Sequence, residues 1–348
     1  MMDSGKYIHS NLLWVGTFVA ALISSIIFTW VYWQDSDSFN ISSSPSPAPR
    51  VSAESISPIP LVMPGLDTGK VALGKRLFHE TRLSGNNTLS CATCHPLDQG
   101  GTDNAMHVVA IDSDAGLINT PTVFNVGFNF RQFWNGRAAD LEDQINDPLT
   151  HPFEMGSDWG QVVSRLNDDP SLKAAFLAIY SDGITPDNVR NAIATFERSL
   201  LTPNSRFDKF LRGDKNAINP DELAGYKLFN SYGCINCHNG VNIGGNMYEK
   251  LGIMSDYFSA ENAKSKLADM GRYAITHIPE TLHEFKVPGL RNVAVTAPYF
   301  HDGSAATLDK AVAIMGTYQL GVDLPKQDIA RISAFLKTLT GEYNGRPL

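Results

Sequence analysis

The chain is poor in cysteine: its 348 residues hold only Cys91, Cys94, Cys234 and Cys237. These form two Cys-x-x-Cys pairs with none left over. That argues against a disulfide framework and leaves no lone thiol to act as a nucleophile. Charge is sparse too, at 18% of residues against 43% hydrophobic. Such a balance supplies a core and excludes a disordered chain. The formal net charge is -8 and no basic run stands out, so nucleic acid is not an expected partner. Strand-like alternation is scarce, which argues for a mainly α body with long loops. The length allows about two domains of roughly 150 residues each.

One long apolar run is present. Leu12 to Trp33 spans 22 positions without a charged residue. As a helix it would measure about 33 Å, enough to cross a bilayer core of about 30 Å. Trp14, Trp30, Tyr32 and Trp33 sit near its ends, where interfacial aromatics gather. The run is long for the apolar part of a signal peptide, so residues 1–34 read as an uncleaved anchor in the inner membrane. Lys6 before the span, with Asp35 and Asp37 after it, favours a cytoplasmic N-terminus and a periplasmic body. Residues 35–60 are rich in Ser, Pro and Ala, a linker composition.

Several helices are readable in the body. Thr185 and Pro186 look like an N-cap and a first helical position, with Val189, Ile193, Phe196 and Leu200 on one face. Asn219-Pro220-x-Glu222 opens another helix. Ile329, Ile332, Phe335, Leu336 and Leu339 make an amphipathic last helix that is expected to stop at Gly341.

The body also repeats itself. Gly74-x-x-Leu77-Phe78 precedes the first cysteine pair, and Gly225-x-x-Leu228-Phe229 precedes the second. After the pairs come PTVFNV with FWNGRAADL, and PGLRNV with FHDGSAATL. From Pro to Asn is four residues in both copies, Asn to Gly eleven, and Gly to Leu five. A duplication explains these equal spacings, giving domains at 61–205 and 206–348. In this register Met315 stands where the first copy has Pro148. Methionine can ligate iron, whereas proline has no donor side chain.

Each cysteine pair is followed at once by histidine, His95 and His238. Cys-x-x-Cys-His attaches haem: the thiols add to its vinyl groups and the imidazole reaches the iron. A four-thiolate zinc site would not require a histidine after both pairs, and the pairs lie 143 residues apart. Two covalent c-type haems follow, with His95 and His238 as proximal ligands and Met315 opposite His238. As a lone methionine, Met315 would more often be a packing residue, but the duplication singles it out. The haem on His95 is then open on its far side. Near it lie Gln144 and Glu154, the carboxylate able to move a proton during O–O cleavage. Trp134 is a candidate electron bridge, although a lone aromatic more often belongs to a core.

The stretch from about Leu73 to Leu339 resembles the bacterial dihaem cytochrome c peroxidases. The resemblance rests on CATCH, PTVFN, QFWNGRAADLEDQ, FDKFLRGD, CINCHNGVNIGG, TAPYFHDG, AVAIMGTYQLG and AFLKTLTG. It implies two cytochrome c-like helical domains and reduction of hydrogen peroxide with electrons from a small cytochrome c or cupredoxin. It implies a homodimer. It also implies calcium between the domains, bound by the Asn119 side chain and the backbone oxygens of Thr296 and Pro298. Motif matching gives His95 the low-potential peroxidatic haem, and His238 with Met315 the high-potential one. Trp134 matches the inter-haem tryptophan, and Gln144 with Glu154 the distal pair.

Two departures stand out. Many members carry an iron-capping histidine in the loop before PTVFN. That position is Ile111 here, and the loop's only histidine is His107. We expect either a shifted loop with His107 as cap or, preferably, no cap. The anchor is the second departure, and it admits quinol as donor. Two rival readings remain: a relative that oxidises residues of a partner protein during maturation, and a pure electron-transfer cytochrome with both irons saturated. The first uses a tyrosine ligand where this chain offers Met315. Pro148 and the Gln144/Glu154 pair argue against the second.

Overall fold

A computed structural model describes residues 56–105, 118–259 and 267–348. The apolar run Leu12 to Trp33 and His107 lie outside the described residues. Among those described, no helix is long and apolar enough to cross a membrane.

Helices α1 (Thr68–Phe78) and α2 (Cys91–Cys94) open the first half. Next come α3 (Leu141–Gln144), α4 (Asn146–Thr150), α5 (Trp159–Asn167) and α6 (Pro170–Leu177). Helix α7 (Pro186–Ser199) closes that half. The second half holds α8 (Arg206–Leu211), α9 (Pro220–Ser231), α10 (Tyr273–Thr276), α11 (Leu308–Ile314) and α12 (Lys326–Lys337). Two antiparallel pairs are the whole of the described sheet: β1 (Tyr248–Lys250) with β2 (Glu284–Lys286), and β3 (Glu342–Tyr343) with β4 (Arg346–Pro347). The protein is mainly helical, as its scarce alternation implied.

The helix starts follow their caps. The Thr185 hydroxyl accepts the Asn188 amide at 3.2 Å, with Pro186 at the first position of α7. Asn219 and Glu222 satisfy each other's backbone amides at 3.0 and 2.8 Å, a reciprocal box at the start of α9.

Each half is built on one helix crossing. Helix α1 packs on α7 and α9 packs on α12, and each crossing is closed by a glycine. A Cβ on Gly74 would fall 1.9 Å from the Ala192 carbonyl oxygen, and one on Gly225 would fall 1.9 Å from that of Arg331. The crossings thus superimpose Ala192 on Arg331, Phe196 on Phe335 and Leu200 on Leu339. Phe335, fully buried, contributes about 2–3 kcal/mol through the apolar area it removes from water. Further along, Asn125 and Asn292 have φ of 61° and 62°, Phe133 and Phe300 67° and 69°, and Gly136 and Gly303 69° and 66°. The repeated spacings are therefore repeated backbone.

Two expectations are corrected. Helix α12 ends at Lys337, short of Gly341. Gly341 serves packing instead, since a Cβ there would meet the Thr202 carbonyl oxygen at 1.9 Å. The linker composition does not extend free to residue 60. Ile56 and Ile59 are buried, and Ile56 joins the second-half core. The Arg291 guanidinium donates to the Ser57 carbonyl at 2.9 Å, and the Ile59 amide donates to the Asp208 carboxylate at 3.2 Å. At the other end, Tyr343 and Leu348 pack against the first-half core. Each terminal strap therefore crosses to the half remote from it in sequence.

Candidate functional site

Both Cys-x-x-Cys-His motifs are single helical turns. The His95 amide donates to the Cys91 carbonyl at 2.9 Å, and the His238 amide to the Cys234 carbonyl at 2.9 Å. In the second motif that turn brings Cys234 and His238 to the wall of one cavity. His95 Nδ1 lies 3.0 Å from the Gly101 carbonyl, and His238 Nδ1 lies 3.4 Å from that of Ile243. A carbonyl can only accept, so Nδ1 carries the ring proton and Nε2 keeps its lone pair for a metal. Burial lowers the pKa of both imidazoles, that of His238 to about 4. They stay neutral, as ligands must.

None of the four cysteines is paired in a disulfide. Burial pushes the thiol of Cys91 up to about 12 and those of Cys94 and Cys234 up to about 11. Cys91 packs on the first-half core and Cys234 on the second, so the pairs do not converge. Among the described residues, no group of three or more His, Cys, Asp and Glu is placed to hold a metal.

A cavity of about 290 Å³ stands over His238. Cys234, Cys237, His238 and Met315 all line it, with Leu336 and Trp134 among the apolar walls. Met315 caps α11 and begins a wider helical turn, Met315–Leu320. The residues fit a c-type haem: two thiols, a neutral imidazole, a thioether and apolar walls share one cavity.

The His95 side is built differently. Asp140 caps α3 as Thr307 caps α11, and both helices begin on the repeated leucine, Leu141 or Leu308. Helix α11 continues to Met315, whereas α3 ends at Gln144 and Pro148 falls inside α4. Gln144 is half-buried. Glu154 follows in a turn, its amide donating to the His151 carbonyl at 3.0 Å. Burial raises the Glu154 pKa, while His151, 3.9 Å away, and Arg137 pull it back. Its charge in turn helps raise the Cys94 thiol, so the carboxylate stands near the first cysteine pair.

Between the halves, the Trp134 indole donates to the Asn119 carbonyl at 2.9 Å. Its ring meets His301 edge-on at 6.5 Å between centroids. The Asn119 side-chain amide donates to the carbonyls of Pro298 at 2.6 Å and Phe300 at 3.1 Å. Gly100, just past the first motif, reaches the same segment: a Cβ there would lie 2.9 Å from the Val295 carbonyl oxygen and 3.5 Å from Thr296 Cγ2.

Comparison with known proteins identifies the family. A family model described as di-haem cytochrome c peroxidase matches residues 68–216. The cytochrome c peroxidase of Escherichia coli (strain K12) is 44% identical over 336 residues, 96% of this chain and 70% of that one. The chain belongs to the di-haem cytochrome c peroxidase family. The cytochrome c551 peroxidase of Nitrosomonas europaea is also 44% identical, over 83% of this chain and 85% of its own. Among solved structures, a MauG-like protein associated with microbial copper homeostasis matches with a TM-score of 0.70 at 27% identity, covering 85% of this chain and 96% of that one.

Within this di-haem peroxidase, two buried ionisable side chains without an ion-pair partner among the described residues carry no local signal in the sequence. Glu197 on α7 is 5% exposed, and its Oε2 has no hydrogen-bond partner. Burial pushes its pKa up to about 8, and its charge raises that of Cys91. Superposing the two helix crossings places Glu197 on Leu336, a wall of the cavity over His238. The duplication alone could have flagged this exchange of a leucine for a carboxyl. The other is Lys286 on β2, 8% exposed.

Proposed function

We propose that this chain reduces hydrogen peroxide to water with electrons from a small c-type cytochrome, each half carrying one covalent haem. The carrying observation is the asymmetry of a duplicated frame. His238 and Met315 line one cavity, while the first copy repeats the histidine and offers Pro148 in place of the methionine. A haem held by His238 and Met315 would be suited to electron storage, with methionine raising its potential. A haem held by His95 alone would leave room for peroxide.

A haem held by His95 would supply the redox chemistry that cleaves the O–O bond. The chain supplies the rest. His95, held by the Gly101 carbonyl, fixes the proximal side. Glu154 takes the proton from the inner peroxide oxygen and returns it to the leaving one, so that water departs rather than hydroxide. Gln144 orients the incoming molecule. Trp134 lies along the electron route from the His238 side. The sum is one peroxide, two electrons and two protons to two waters.

The further assignments belong to the same proposal. Calcium, held by Asn119, Thr296 and Pro298, would replace the Asn119–Pro298 hydrogen bond and tie the halves together. The run Leu12 to Trp33 anchors the body in the inner membrane with the catalytic part in the periplasm, where a quinol could also donate. The domains divide near residue 205, the active form is a homodimer, and no cap closes the first iron. The test is steady-state turnover: the two-haem protein should oxidise two reduced cytochromes per peroxide. No oxidation by protein carrying both haems would contradict the reading.

A further inference from the structure

Lys286 is a buried cation without an anion. The side chain sits in β2, whose backbone amide donates to the Trp134 carbonyl at 2.8 Å. Only 8% of the residue is exposed, and it lines the cavity over His238. Among the described residues, its ammonium makes no hydrogen bond, ion pair or cation–π contact. The other buried base nearby is handled differently: Arg291, also a wall of the cavity, pairs with Asp208 at 2.7 Å. Burial alone lowers the Lys286 pKa, to about 8, with no carboxylate pulling it back. A charge removed from water without a partner is costly, so buried ammonium groups are paired or hydrogen-bonded.

The missing anion is supplied by the cofactor. Haem carries two propionates on the edge remote from its vinyl groups, and here the vinyl edge is pinned at Cys234 and Cys237. We infer that Lys286 is the charge partner of a propionate of the haem on His238, held beside Trp134. This rests on the reading of His238 as a haem ligand. The cavity that Lys286 lines contains the second cysteine pair and Met315 but none of Cys91, Cys94 and His95, which assigns it to the second haem. Lys286 is then a positioning residue. It fixes the propionate next to the indole through which the electron leaves. Its positive charge favours the reduced iron and raises that haem's potential.

The experiment uses the two-haem protein and compares Lys286→Met with Lys286→Arg. Haem content and the methionine-to-iron charge-transfer band report whether the second site is intact. Loss of haem from the parent protein would overturn the His238 reading itself. With both haems present, Lys286→Met should lower the midpoint potential of the methionine-ligated haem only. It should also shift that haem's propionate-bending band in resonance Raman. Lys286→Arg should restore both. If Lys286→Met does not accumulate, Lys286→Gln carries the same expectation. An unchanged potential and an unchanged propionate band would overturn the inference. So would changes at the His95 haem instead.

Discussion

Asn125 and Asn292 occupy equivalent places in the two halves, and both donate their side-chain amides to one hydroxyl. Thr202 Oγ1 accepts from Asn125 at 2.7 Å and from Asn292 at 2.9 Å. The backbone amide of Thr202 donates to Asn125 Oδ1 at 3.0 Å, and that of Gly341 donates to Asn292 Oδ1 at 3.0 Å. The duplicated motif thus serves also as the seam between its own copies. All three side chains are at least 99% buried, so none of these groups can turn to water instead.

Thr202→Val keeps the shape of this seam and removes its acceptor. Two buried amides lose a partner, at about 1–3 kcal/mol each, so the variant should lose about 2–6 kcal/mol of stability. Denaturant unfolding measures it. A loss below about 0.5 kcal/mol would show that the seam is not a fixed junction.

Gly74→Ala and Gly225→Ala should each disrupt one helix crossing. The added methyl meets backbone rather than a movable side chain, so we expect at least about 3 kcal/mol from each. Haem content should fall in the corresponding half. Equal loss of both haems from either variant would show that the halves do not fold around separate crossings.

Glu154→Gln should cut peroxide turnover about a hundredfold or more while both haem spectra persist. The base must be ionised, so parental activity is lost as pH falls through the Glu154 pKa. That limb lies above the ordinary carboxylate value of 4.5, because burial raises it. The limb should vanish in Glu154→Gln. A pH–rate profile of kcat/KM decides, and an unchanged limb would remove Glu154 from the proton transfer.

Glu197 predicts a stability profile of its own. Its folded pKa of about 8 lies above the ordinary 4.5. Between these values the folded chain keeps a proton that the unfolded chain has released, so stability falls as pH rises through the window. Glu197→Gln should flatten that fall, seen as a Tm that varies less from acid to mild base than the parent's. Parallel profiles would mean the carboxyl is compensated in the protein.

Much of this was legible in the sequence because it is carried by local rules. Thr185 with Pro186, and Asn219 with Glu222, state their helices in four residues. The repeat states the pairing of Gly74 with Gly225 and the contrast of Met315 with Pro148. What was not legible depends on distant partners. Gly341 looks like a helix stop until the Thr202 carbonyl appears beside it. Ile56 and Ile59 sit in a stretch of linker composition, and only the pairs Arg291–Ser57 and Asp208–Ile59 show that it is strapped down. Lys286 in a three-residue strand carries no periodic signal of burial.

The proposed function requires one iron open to peroxide and the other held by Met315. The direct test is stopped-flow mixing of peroxide with the two-haem protein, first fully ferric and then holding one electron on the methionine-ligated haem. A spectral change at the His95 haem is expected in both states. In the second state the stored electron should also be lost from the His238 haem. Silence in both states with two intact haems, or a ligand change at the Met315 side, would contradict it.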